Sequence, residues 1–115
     1  MSKPIQLPHE IGDGKDRETR TLFADRWRRL VLIQLRRGAV LDDHSARFPI
    51  TVQALAGNGT LHIGSEGHTL SPGIVVPVDA HVVHSVHAEP AVAILVTLFR
   101  QGESGGEDET TARFE

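Results

Sequence analysis

The chain contains no cysteine, one tryptophan and one methionine in its 115 residues. Without cysteine there are no disulfides, no thiolate metal ligands and no thiol nucleophile. Also missing is any apolar run near the ~18–20 residues that span a bilayer, which excludes a transmembrane helix. Met1-Ser2-Lys3-Pro4 leads into polar residues and not into an apolar segment, so no secretory signal is expected. These absences make a soluble cytoplasmic protein the expectation. No excess of one charge exists either. Residues 1–100 carry 11 Lys/Arg against 10 Asp/Glu, a net of +1, and residues 101–115 carry five acids against Arg113, a net of −4, which together make the formal −3. A nearly neutral body offers no electrostatic footprint for nucleic acid or a membrane surface.

What is present suits one globular domain. Apolar residues make up 39%, and with the 11 glycines the share reaches about 48%, ordinary for a folded protein. The length supports one core and not two. Residues 1–19, with Pro4, Pro8, Gly12 and Gly14 and no periodicity, read as an N-terminal arm that covers a sheet edge or pairs with a neighbour. Residues 101–115, glycine-rich and acidic, read as a disordered tail.

Between them, short stretches of Val, Ile, Leu and Thr alternate with Gly, Pro, Asn, Asp and Ser every 8–12 residues or so, the pattern of a many-stranded sandwich or barrel. The pattern predicts strands near 20–24, 28–36, 39–44, 50–56, 60–63, 68–70, 74–78, 83–88 and 91–99. Asn58-Gly59 supplies the residues of a tight hairpin turn between the fourth and fifth of these. Residues 26–37 fit a helix or a long strand buried on both faces, and with no N-cap and strands on either side the strand is preferred. The arginines there, flanked by Asp25, Asp42 and Asp43, read as solvated strand ends.

Histidine is the one unusual resource, with seven copies. His9, His62 and His68 read as surface imidazoles without a special role. Alternation on a strand puts His84 on the face of Val86 and His87 on the other, while His81 falls in a loop. An inward histidine among valines needs a hydrogen-bond partner or a metal, because burying a bare polar ring costs about 1–3 kcal/mol. On the strand at 39–44, alternation puts Asp42 and His44 on one face and Asp43 on the other. Imidazoles from His44 and His84, converging inside a barrel, suit a divalent cation.

These residues resemble the cupin superfamily, small double-stranded β-helices of the jelly-roll type. The first family motif is a Gly, five residues, His-x-His, three or four residues, Glu, six residues and Gly. Gly38, His44 and Gly57 match it. The second is a Gly, five residues, Pro-x-Gly, two residues and His, matched by Gly73 and His84. The resemblance spans about residues 20–99 and implies an all-β, single-domain cupin barrel at 20–100. It also shows departures: the second metal His of the family corresponds to Ala46, its Glu to Ile50, and the Pro and Gly of the second motif to Asp79 and His81. Of four usual ligands, His44 and His84 remain.

Three readings stay open. His44 and His84 hold a divalent metal (Fe, Zn, Ni or Mn), with Asp42 as the candidate third ligand, and the protein acts on a small organic molecule. Alternatively, the two imidazoles do acid–base work without a metal. Or the barrel is a non-catalytic small-molecule pocket lined by Ile50, Val52, Ala54 and Val86. The resemblance further implies a homodimer. Both faces of 28–36 carry large apolar residues, so one face needs a cover from a second subunit or from the arm.

Overall fold

The computed structural model describes residues 3–100. Seven strands form: β1 (Arg17–Ala24), β2 (Arg28–Leu35), β3 (Val40–His44), β4 (Ile50–Ile63), β5 (Glu66–Leu70), β6 (Val75–Val78) and β7 (His84–Phe99). Every pairing is antiparallel. The segment at 26–37, which fits either a helix or a strand by pattern, is the strand β2. It hydrogen-bonds to β1 on one edge and to β7 on the other. Its alternation is clean: Val31, Ile33 and Leu35 enter the core cluster, while Leu30, Leu32 and Gln34 face outward.

Two long strands build the barrel. The first half of β4 and the second half of β7 pair with each other and carry β6 and β2 on their free edges. The second half of β4 and the first half of β7 pair again and carry β5 and β3. Both strands therefore pass from one sheet to the other, and they bend where the β4–β7 register shifts between Ala54 and Gly59. Corners made by bulged strands that switch sheets are the usual way to fold such a sandwich.

This geometry corrects the hairpin expected at Asn58-Gly59. β4 continues unbroken through that dipeptide, and both of its halves have the same partner strand. The glycines serve the bend instead. Gly57 sits at φ +75°, and a Cβ there would lie 2.2 Å from the Ala91 carbonyl oxygen; at Gly59 it would lie 2.6 Å from that of His87. The chain reverses later, at Gly64-Ser65, where Ile63 pairs with Glu66. The strands expected at 83–88 and 91–99 are likewise one strand, β7.

The first strand starts three residues earlier than expected, at Arg17. The arm lies along the outer face of the first sheet. Gln6, Leu7, Pro8, His9 and Glu10 line a cavity together with Leu32 and Gln34, and Leu32 is only 3% exposed. Arg36 fastens the arm. Its Nε donates to the Gly12 carbonyl (2.7 Å), and its Nη1 to the Lys15 carbonyl (2.7 Å) and the Glu18 carboxylate (2.6 Å). At 5% exposure Arg36 is no solvated strand end, which corrects the sequence reading of that residue. The tail expected to be disordered lies outside the described residues, and no helix among those described is long and apolar enough to cross a membrane.

Candidate functional site

His44 ends β3 and His84 begins β7, and the two are directly opposite in the β3–β7 register. Their rings meet edge to face with centroids 4.3 Å apart. Each ring is oriented by its own chain in the same way. Nδ1 of His44 lies 2.7 Å from the Asp42 carbonyl oxygen, and Nδ1 of His84 lies 2.9 Å from the Val82 carbonyl oxygen. A carbonyl can only accept, so each ring, in its neutral form, carries its proton on Nδ1. Both Nε2 atoms are buried. His84 itself is 2% exposed, and burial pushes its imidazole below the ordinary range. The Val82 carbonyl opposes that shift; His44 adds to it, and Asp43 acts against it.

The carboxylates are arranged differently from the expectation. Leu41 pairs with Val86 and His44 with His84, so three residues on β3 span two on β7. This bulge breaks the alternation that would place Asp42 on the face of His44, and Leu41 packs against the core instead. Asp42 is exposed and lines an outer cavity with Asp16, Arg17, Ala39 and Val40. Asp43, the acid felt by His84, lines a cavity of ≈ 320 Å³ with His62, Ile63, Gly64, Val82 and Val83. Neither His44 nor His84 lines this cavity; its link to the pair is through Ile63, the register partner of His84, and Asp43, which precedes His44. Among the described residues, no group of three or more His, Cys, Asp or Glu is placed to hold a metal ion.

Ile50, Val52, Ala54 and Val86 all point inward and are all buried in the core cluster. There they pack together with Ile94, Val96 and Leu98. Ala46 and Ile50, which take the places of two family ligands, belong to the same cluster, so that wall of the site is aliphatic. Gln53 is half-buried on the opposite face of β4.

Two features escaped the sequence. Alternation puts Asp43 on the face away from His44, and only the bulge reveals its relation to the cavity. His62 and His87 also meet, with ring centroids 4.7 Å apart, on the outer side of the second sheet. The signal for that contact is the β4–β7 register, which no local pattern contains while β4 is read as two strands.

No family model matches the chain, and no curated protein is similar to it in sequence. Solved structures are similar in fold. An RmlC-like cupin protein from Desulfovibrio desulfuricans superposes with a TM-score of 0.76 at 19% identity, over 86% of this chain and 97% of that one. A cupin superfamily protein from Desulfitobacterium hafniense gives 0.73 at 14% identity, over 79% and 84%. A salicylate 1,2-dioxygenase from Pseudaminobacter salicylatoxidans gives 0.69 at 16% identity, over 73% of this chain and 26% of its own. The sheet order, the bends of β4 and β7 and these superpositions agree on one architecture: the chain has the cupin fold.

Proposed function

We propose that His44 and His84 hold a divalent transition-metal ion, and that the protein acts on a small organic molecule reaching the pair through the cavity lined by Asp43, Val82 and Val83. The matched tautomers carry this reading. Metal-bound histidines generally donate their other ring N–H to a carbonyl or carboxylate, which fixes the ring orientation and tautomer for ligation. Both rings here do so, through the carbonyl two residues earlier in the chain. Neutral imidazole suits Fe, Zn, Ni and Cu. Two protein ligands leave several coordination positions for water or for a substrate carboxylate or hydroxyl. A metal in that position supplies Lewis acidity. The chain's own contribution is to fix the two imidazoles, to exclude water on the aliphatic side through Ile50 and Val86, and to place the Asp43 carboxylate at the cavity. A salicylate 1,2-dioxygenase shares the fold, which supports an enzymatic reading, and fold alone assigns no substrate.

Ile50, Val52, Ala54 and Val86 are packed into the core and line no cavity among the described residues, so a second reading, a non-catalytic cupin that binds a small molecule without metal, places the ligand in the cavity lined by Asp43, Ile63, Val82 and Val83. Elemental analysis of protein purified without chelator separates the two, alongside His44→Ala and His84→Ala. Near-stoichiometric metal that disappears in both variants supports the metal centre. Protein that is metal-free and takes up no added Fe(II), Ni(II) or Zn(II) overturns it. Within the same proposal we infer a homodimer. The arm shields Leu32, yet Phe23, Trp27 and Phe99 stay exposed, with Trp27 at 57%. Sedimentation equilibrium checks this, and a monomer at micromolar concentration refutes it.

A further inference from the structure

A second pair of imidazoles stands outside the barrel. His62 lies on β4 and His87 on β7, and the register sets Thr60 opposite His87 and His62 opposite Ser85. The two histidines are therefore diagonal neighbours on adjacent strands, a separation that long or aromatic side chains bridge. Their rings do bridge it, edge to face at 4.7 Å between centroids. Both are half-buried, so each ring is held by its surroundings and still open to solvent. On the β5 side, His62 faces Gly67, where even a Cβ would come within 3.6 Å of its Nδ1 and Cε1. Glycine leaves that side of the ring clear. A carboxylate stands nearby: Glu89, two residues beyond His87, accepts a hydrogen bond from the Thr60 hydroxyl at 2.9 Å.

We infer that His62 and His87 form a second cation site, on the outer face of the barrel, that chelates a borderline transition-metal ion such as Ni(II), Cu(II) or Zn(II). Imidazole donors suit these ions, and their affinities are highest toward the end of the first transition row. The strand pairing already brings the two rings together, so binding spends little on ordering them. Once one imidazole has bound, the other is present at high effective concentration, which is the source of chelate affinity. The Glu89 carboxylate adds attraction for a cation, and the solvent-open side leaves room for water to complete the coordination. The site lies on a different face from the inner pair, because His84 is buried in the barrel while His87 projects outward, although His62 also lines the cavity beside Asp43. It also changes how bulk metal content is read, since a second equivalent can reside outside the barrel.

The test titrates Ni(II) alone into the full-length, ¹⁵N-labelled protein and follows the imidazole resonances of all seven histidines. The His62 and His87 signals should broaden together, before those of the surface residues His9 and His68. His62→Ala and His87→Ala should each weaken Ni(II) binding at this site by roughly tenfold or more, as expected when a chelate loses one arm. The inner pair is reported separately by the His44 and His84 resonances, so its failure and the failure of the outer site cannot be confused. Broadening of His9 or His68 at the same Ni(II) concentration as His62 and His87 overturns the inference. A smaller loss in either variant overturns it as well.

Discussion

Replacing Arg36 by methionine keeps the aliphatic stem and deletes the guanidinium that fastens the arm. That group makes hydrogen bonds to the carbonyls of Gly12 and Lys15 and to the Glu18 carboxylate, all at 2.6–2.7 Å, and a longer one to the Gln34 side chain at 3.2 Å. Hydrogen bonds to a charged group contribute about 1.5–3 kcal/mol each when the partner stays buried. The full sum is not the cost, because the arm can peel away and give its carbonyls to water. The loss is then capped by the free energy of docking the arm, including the cover it gives Leu32. We expect Arg36→Met to cost ~3 kcal/mol, the upper end for one hydrogen bond to a charged group, since the Glu18 carboxylate is 42% exposed and regains water. For a domain of this size that lowers Tm by roughly 12–24 °C. Arg37 provides the contrast. It bonds to Asp16 and Gly14, but both side chains of the Arg37–Asp16 pair are more than half exposed. Arg37→Met should cost no more than about 1 kcal/mol. Urea unfolding gives the two free energies, and amide exchange should show residues 10–20 losing protection in Arg36→Met while β4 and β7 keep theirs relative to global unfolding. If Arg36→Met is within about 0.5 kcal/mol of wild type and the arm amides exchange at the same rate, the latch argument is refuted.

Two further predictions concern the site and the bend. In metal-stripped protein, His84 should link stability to acidity. Its folded pKa lies below the ordinary 6.5, so below that pH the unfolded chain binds more protons than the native one. The His84 contribution is therefore complete above pH 6.5 and declines as the pH falls toward the depressed folded value. Urea unfolding of wild type and His84→Leu across pH 7.5 to 5 should show a decline in wild type that the variant lacks, and parallel profiles would contradict the reading. At the bend, Gly57→Ala puts a Cβ against the Ala91 carbonyl at φ +75° and should destabilise by roughly 2–4 kcal/mol, whereas Gly12→Ala, with open space around it, should stay within about 0.5 kcal/mol. Equal midpoints for the two variants in thermal unfolding would count against a steric role for Gly57.

Much of the fold was legible in the chain, because it depends on local rules. Period-two alternation identified β2 and placed Val31, Ile33 and Leu35 on one side and Leu30 and Leu32 on the other, as the structure has them. The same rule put His84 with Val86 and turned His87 away. Gly38, Gly57 and Gly73, the glycines of the motif spacing, all adopt the positive φ that favours glycine. The spacing of His44 and His84 was also visible, since both lie at strand ends forty residues apart.

What the sequence could not determine was set by pairing between distant strands. Asn58-Gly59 has the chemistry of a hairpin turn, yet the turn does not form, because β7 is long enough to pair with both halves of β4 and that pairing outweighs a local turn preference. Asp42 lost its place beside His44 for a similar reason: a bulge admits one extra residue, and every later side chain on β3 changes face. Arg36 became a buried latch only because the arm folds back over the sheet, and His62 met His87 only through the β4–β7 register. The sequence by itself determined strand character, the inward residues and the two candidate histidines, since hydrophobic alternation and backbone preference act over a few residues. Only the tertiary structure decided which acid faces the site, which histidines touch and what covers the outer sheet, because those follow from register between strands far apart in the chain.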